Sequence, residues 1–108
     1  MHGAPRYRIG QLVVHRRDAT RGVVAGWDPT CRADEAWYLG NPTQPDRNQP
    51  WYHVLVHGAE HTTYVAQSNL EAYEGREQVL HPLTRELFDS FSNGRYHPRA
   101  GIRFSAQW

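Results

Sequence analysis

The sequence predicts a mainly β domain, a small barrel of about five strands with a long central loop and a C-terminal helix. Short runs of β-branched and aromatic residues recur between Ile9 and Tyr73. Most of the breaks between them are turn sequences, and closing such strands into a barrel removes exposed edges. Beyond Gly75 the apolar spacing changes from strand-like to every three or four residues, the helical period.

The first strand is expected over Ile9–Arg16, a β-branched run with a charged end, and Asp18-Ala19-Thr20 supplies turn residues. Arg21–Trp27 reads as the second strand. Gly22 and Gly26 bracket it and suggest a bulge or a close backbone approach, and Asp28-Pro29 ends it. Residues 28–50 form a Pro-, Asn- and Asp-rich loop with a short helix expected over Ala33–Leu39, Asp34 and Glu35 lying in its first turn. Trp51–His57 is the clearest strand. Gly58-Ala59-Glu60 turns the chain, and His61–Val65 returns as the fourth strand. Gln67–Leu70 reads as a single tight turn with Leu70 buried, and Glu71–Tyr73 as a short fifth strand. The barrel thus spans about residues 7–73 of a single domain, 1–108, with helix and tail over about 80–108. Leu83, Leu87, Phe88 and Phe91 make a helical stripe of about ten residues starting near Pro82 and stopped by Asn93-Gly94. Ile102, Phe104 and Trp108 have the alternate spacing of an added edge strand.

Apolar residues make up 39% and charged residues 21% of the chain, which excludes a disordered polymer. Neither a membrane-spanning apolar run nor a signal-peptide core occurs. With Cys31 as the one cysteine, no internal disulfide can form, and a reducing, cytoplasmic setting is expected. The net charge of +1 conceals a polarised chain. Residues 1–27 carry five arginines against Asp18, residues 90–108 carry three arginines and no acid, and residues 28–89 carry four arginines against ten acids. All twelve basic residues are arginine, as a GC-rich genome would give; arginine also binds phosphate bidentately and stacks on bases.

His53, His57 and His61 recur every fourth residue, but no cysteine or carboxylate completes a ligand pattern, and they read as polar strand residues facing solvent. No local signature sets a base beside Cys31, which reads as a small packed or half-exposed thiol. The acids make no catalytic pair, and neither a phosphate loop nor a serine elbow occurs, so the expectation is a non-enzymatic domain without metal or cofactor. Trp27, Trp37, Tyr38, Trp51 and Tyr52 cluster around the long loop. They serve either as the closing core of a small barrel or as an aromatic surface, stacking on nucleic acid or lining a peptide groove.

Three strings in order carry a resemblance: Gly26-Trp27-Asp28-Pro29-Thr30-Cys31, Gln49-Pro50-Trp51-Tyr52-His53-Val54-Leu55-Val56 and Tyr64-Val65-Ala66-Gln67-Ser68-Asn69-Leu70-Glu71. With Ile9-Gly10-Gln11 ahead of them, they resemble the YccV-like hemimethylated-DNA-binding domain over about residues 7–73. The resemblance implies an SH3-like barrel and DNA binding, with no catalytic residues. Its bacterial heat-shock members, called HspQ, are described as binding hemimethylated DNA and as modulating or being handled by the AAA+ protease Lon. Related domains occur in a plastid Clp-protease adaptor and at the C-terminus of a vertebrate F-box protein. The Trp27–Cys31 string and the tail from His81-Pro82 to Tyr96-His97-Pro98 look closer to the F-box-type domain than to HspQ.

Two functions follow as expectations. In the first, the basic terminal segments pack side by side, and Arg6, Arg8, Arg16, Arg17, Arg21, Arg95, Arg99 and Arg103 contact DNA phosphates, with Trp27 or Trp51 meeting the methyl group in the major groove. In the alternative, the domain is an adaptor for an AAA+ protease or its substrates, and an aromatic groove of Trp37, Tyr38, Trp51 and Tyr52 takes an extended peptide.

Overall fold

The computed structural model describes residues 4–102. The β-branched runs pair as strands β1 (Leu12–His15), β2 (Arg21–Asp28), β3 (Trp51–Val56), β4 (Thr62–Ala66) and β5 (Leu70–Ala72), all antiparallel, in the order β4-β3-β2-β1-β5. Gln67–Asn69 makes a single 3-10 turn between β4 and β5, and Leu70 is buried as expected. The expected barrel is not closed: among the described residues β4 and β5 remain opposite edges of one open sheet, because the 3-10 turn joins them without a ladder between them.

β1 starts later than its β-branched run suggests. Gln11 N–H bonds the Arg8 carbonyl at 3.0 Å, closing a turn in which Gly10 takes φ +94°, so Ile9 lies outside the ladder. Both glycine expectations in β2 hold. The β2–β3 register slips between Val24 and Gly26, where the bulge falls on Ala25. A Cβ on Gly22 would meet the Leu55 carbonyl oxygen at 2.6 Å and crowd the Val54 side chain.

Alternation along β3 assigns the two faces of the sheet. Tyr52 and Val54 pack with Tyr7, Val13, Val24, Val65 and Leu70 on one face, where Tyr7 Oη donates to the Leu70 carbonyl at 2.9 Å. Trp51, His53 and Leu55 point to the other face, which has two covers. At the Leu55 end, with Leu12, Val23 and Ala25, it meets Val79, Leu87, Phe88 and Tyr96 from the C-terminal segment. At the Trp51 end, with Ala66, it meets Cys31 and partly buried Ala33 and Tyr38 from the long loop.

The C-terminal helix expected from Leu83 to Phe91 is not there. A single helical turn, α2 (Thr84–Leu87), leads into β6 (Phe88–Ser92), which pairs with β7 (Arg95–Pro98). Asn93 and Gly94, at φ 54° and 74°, form the hairpin turn between them instead of a helix stop. The spacing of Phe88 and Phe91 has a β explanation. The register shifts between Phe88 and Ser90, so one extra residue sits on β6 and both phenylalanines fall on the same side, packing on Tyr96 at ring distances of 5.2 and 4.6 Å. Of the edge strand expected from Ile102, Phe104 and Trp108, only Ile102 is described, packed against this apolar cluster; Phe104 and Trp108 lie outside the described residues.

Candidate nucleic-acid interface and a buried carboxylate cluster

The two basic segments do meet. Tyr96 N–H bonds the Gly10 carbonyl at 2.9 Å, and Gln11 bridges Arg95. Gln11 Oε1 accepts from Arg8 N–H at 3.0 Å, which brings Arg8 to the same place. Tyr7 is buried while its neighbours Arg6 and Arg8 are exposed, so the buried ring anchors a segment that offers two guanidinium groups to solvent. The backbone of Arg6 docks on the 3-10 turn, its N–H reaching Gln67 Oε1 at 2.8 Å and Tyr52 Oη at 2.9 Å. From the other side Arg16 N–H reaches the Asn69 carbonyl at 2.9 Å. Arg6 and Arg16, with exposed Arg17 next to it, therefore flank the turn. Arg16 Nε also donates to the Leu70 carbonyl at 3.4 Å, and among the described residues the acid paired with this group is Glu71, 3.9 Å from Arg16 with both side chains more than half exposed, a pairing of little energetic weight.

Two other candidate arginines are committed to the fold. Arg21 Nη2 donates to the carbonyls of Glu77 and Gln78 at 2.5 and 3.4 Å, and its guanidinium lies 4.4 Å from the Tyr73 ring centre. This side chain ties the segment after β5 to the sheet, so Arg21 is corrected from a DNA contact to a structural clamp. Arg99 Nη2 donates to the Arg85 and Phe88 carbonyls at 2.8 and 3.3 Å and is likewise a strut, for α2 and β6. Arg95 is half-buried beside Gln11, and Arg103 lies outside the described residues.

The five aromatic candidates do not line one groove. Trp51 and Tyr52, 1% and 0% exposed, are core residues on opposite faces of β3, which removes Trp51 as a reader of a methyl group. Trp27 is half-buried and packs on the Tyr52 side. Trp37 and Tyr38 come from α1 (Glu35–Leu39), whose N-cap Asp34 accepts from Trp37 N–H at 2.8 Å, the acidic start the sequence suggested. Trp37 is 41% exposed and lies on Trp51 and Tyr64, with ring centres 6.1 and 5.7 Å away.

Beneath those rings is a cluster that sequence reasoning missed. Asp28, at the end of β2, is 7% exposed. Its Oδ2 accepts from Tyr64 Oη at 2.6 Å and faces His53 Nε2 at 3.4 Å, while its Oδ1 faces Arg32 Nε at 3.6 Å. Arg32 N–H in turn donates to Tyr64 Oη at 3.0 Å. A carboxylate only accepts, so a hydrogen bond here requires the tautomer of His53 that carries its proton on Nε2. Burial holds the His53 imidazole below its ordinary range, and the Asp28 charge opposes that shift without overcoming it. Tyr64 is pushed well above the usual phenol range by burial and by its bond to Asp28. The reading of His53 as solvent-facing is thus corrected: it lies beneath the long-loop cover, not on the outer surface. His57 Nδ1 accepts from Leu80 N–H at 3.0 Å, and the His61 carbonyl faces His81 Nε2 at 3.0 Å, so these positions hold the C-terminal segment. Among the described residues no cluster of His, Cys, Asp and Glu is arranged to hold a metal ion. The signal for the cluster was present, since Asp28, His53 and Tyr64 come one from each of the three strings that carried the resemblance.

An open antiparallel sheet, a 3-10 turn between its last two strands and arginines on both sides of that turn define a small β domain with a basic surface strip. The family described as hemimethylated DNA-binding protein, YccV-like, matches residues 5–95, and the chain belongs to it. Over 99 residues the chain is 33% identical to F-box only protein 21 of Homo sapiens, of Pongo abelii and of Mus musculus. The match covers 89% of this chain and 16% of each relative, so the chain spans about one sixth of their length. No helix among the described residues is long and apolar enough to cross a membrane.

Proposed function

We propose that this domain binds duplex DNA, gripping phosphates with Arg6, Arg8, Arg16 and Arg17 and favouring hemimethylated sites through Trp27. The observation that carries the reading is the placement of Arg6 and Arg16 by backbone bonds on either side of the Gln67–Asn69 turn, which fixes where two exposed guanidiniums start. Membership of a family described by hemimethylated-DNA binding supports it. Trp27 packs on the same cluster as Tyr7, the residue between Arg6 and Arg8, so an apolar ring lies on the cluster that anchors the arginine segment. One methyl contact is worth about 1 kcal/mol, which makes the expected preference for hemimethylated over unmethylated duplex a few-fold.

The test is fluorescence anisotropy on matched unmethylated, hemimethylated and fully methylated duplexes across a salt series. Four phosphate contacts give a log–log salt slope of about −3 to −4. The triple substitution R6A/R16A/R17A should flatten that slope by about 3 and leave the fold intact, because all three side chains are exposed. Unchanged affinity and slope in the triple variant would remove the phosphate strip. Equal affinity for the three duplexes would remove Trp27 as a methyl reader.

A further inference from the structure

The edges of the two sheets are not equally protected. β5 is three residues long and carries Glu71. β6 is bulged and carries exposed Asp89, and β7 ends in Pro98 and is bridged by Gln11. Short length, charge, bulges and proline are the devices that keep an edge strand from pairing with another chain. β4 has none of them. It runs Thr62-Thr63-Tyr64-Val65-Ala66, without charge or proline, in unbroken register with β3. Half of its backbone N–H and C=O groups point away from β3, and no group among the described residues bonds them.

A cavity of about 710 Å³ lies along this edge and touches every residue from His61 to Ala66. It also straddles the sheet. On one face it is floored by Val54, Val65 and Leu70; on the other it reaches Tyr64, Trp37 and Arg32. Of its two acids, Asp28 is buried against Tyr64 and Arg32, while Asp18 is exposed and stays ionised, its pKa lowered by hydrogen bonds from the Thr20 side chain and backbone. Its exposed cations are Arg17 and Arg32; the Arg32 side chain is 65% exposed even though its Nε faces Asp28 Oδ1 at 3.6 Å.

We infer that β4 receives an extended acidic peptide as a sixth strand. Successive residues of a strand point to opposite faces. Such a peptide would set apolar side chains against Val54, Val65 and Leu70, and acidic ones against Arg32 on the other face. Backbone bonds to β4 supply affinity, and the alternation supplies specificity. This surface differs from the expected aromatic groove, since its organising feature is the backbone of β4. It does not depend on the DNA reading, and only Arg17 serves both.

The test uses the full chain and a fluorescein-labelled peptide of alternating valine and glutamate, seven residues long. Saturable anisotropy is expected, with slowed amide hydrogen exchange confined to the outward N–H groups of Thr62–Ala66. N-methylating alternate peptide nitrogens in one register should abolish binding, while methylating the other register should leave it. R17A/R32A should weaken binding about tenfold, the loss expected for about one charge-assisted hydrogen bond. Absence of binding at millimolar peptide would overturn the proposal. So would binding indifferent to N-methylation, which would mark simple charge adsorption. Protection of the β4 amides that rises with protein concentration and resists the peptide would assign the edge to a second copy and equally overturn it.

Discussion

Two covers lie on the same face of one sheet, and they are made differently. The C-terminal cover is apolar: Val79, Leu87, Phe88 and Tyr96 close over Leu12, Val23 and Leu55, and Tyr96 Oη both donates to and accepts from the Val79 backbone. The long-loop cover is thin and polar underneath. Helix α1 buries no residue, Trp37 stays 41% exposed, and the chain beneath encloses a carboxylate, an imidazole and a phenol. Apolar burial stabilises in proportion to area, whereas a buried charge is stable only while each partner stays in place. The first cover is a structural clasp, and the second is where opening costs least.

The sharpest test of that contrast is F88A. It removes a 3%-exposed ring from the clasp and should cost about 3–5 kcal/mol in urea unfolding, whereas W37A on the loop cover should cost under about 1 kcal/mol. Similar losses at both sites would erase the distinction. Next in size is Y64F, which deletes the hydroxyl that donates to Asp28 and accepts from Arg32 N–H. A loss of about 1.5–3 kcal/mol is expected, the range for hydrogen bonds to a charged group.

A pH series refines the same point. Burial depresses the His53 pKa below its unfolded value of 6.5, so the stability this residue contributes is fully present above pH 6.5. It is lost as the pH falls from 6.5 through the folded value. Unfolding free energies at pH 7.5 and 5.5 should therefore differ less in H53Q than in the parent chain, and an equal difference would mean His53 titrates freely. The smallest effect is that of D34A, which removes the α1 cap at a cost of about 0.5–2 kcal/mol. Because α1 buries nothing, the loss should appear as faster amide exchange in residues 35–40 and hardly at all in global unfolding.

Much of the sheet was legible because β-branched runs and their turns agree with tertiary demand from Arg21 to Leu70. The C-terminal helix misled for a specific reason: the β6 bulge converts alternate spacing into the three-residue step between Phe88 and Phe91, which mimics a helical face. Asn93-Gly94 is the hairpin signal that overrules it. The arginine strip was legible as charge segregation, but which arginines are free was not. Arg21 and Arg99 have the same local texture as Arg16 and Arg17, and only the folded chain shows Arg21 and Arg99 each bridging two carbonyls while Arg16 gives a single long bond from Nε. The Asp28 cluster escaped because Asp28, His53 and Tyr64 are 11 to 36 residues apart and each looks like an ordinary loop or strand residue alone.

Cys31 gives the long-loop cover a built-in clock. Its thiol is free and 8% exposed, packed with Trp51 and Ala66, and its backbone is strapped by Arg47, whose carbonyl accepts Cys31 N–H at 2.9 Å. At 8% exposure the residue should react with a thiol-specific dye mainly when that strap lifts. With no other cysteine to react, the labelling rate of the unmodified chain reports the fraction of time the cover stands open. Comparing that rate with and without DNA, and with and without peptide, would reveal which ligand holds the cover down, without a single residue being changed.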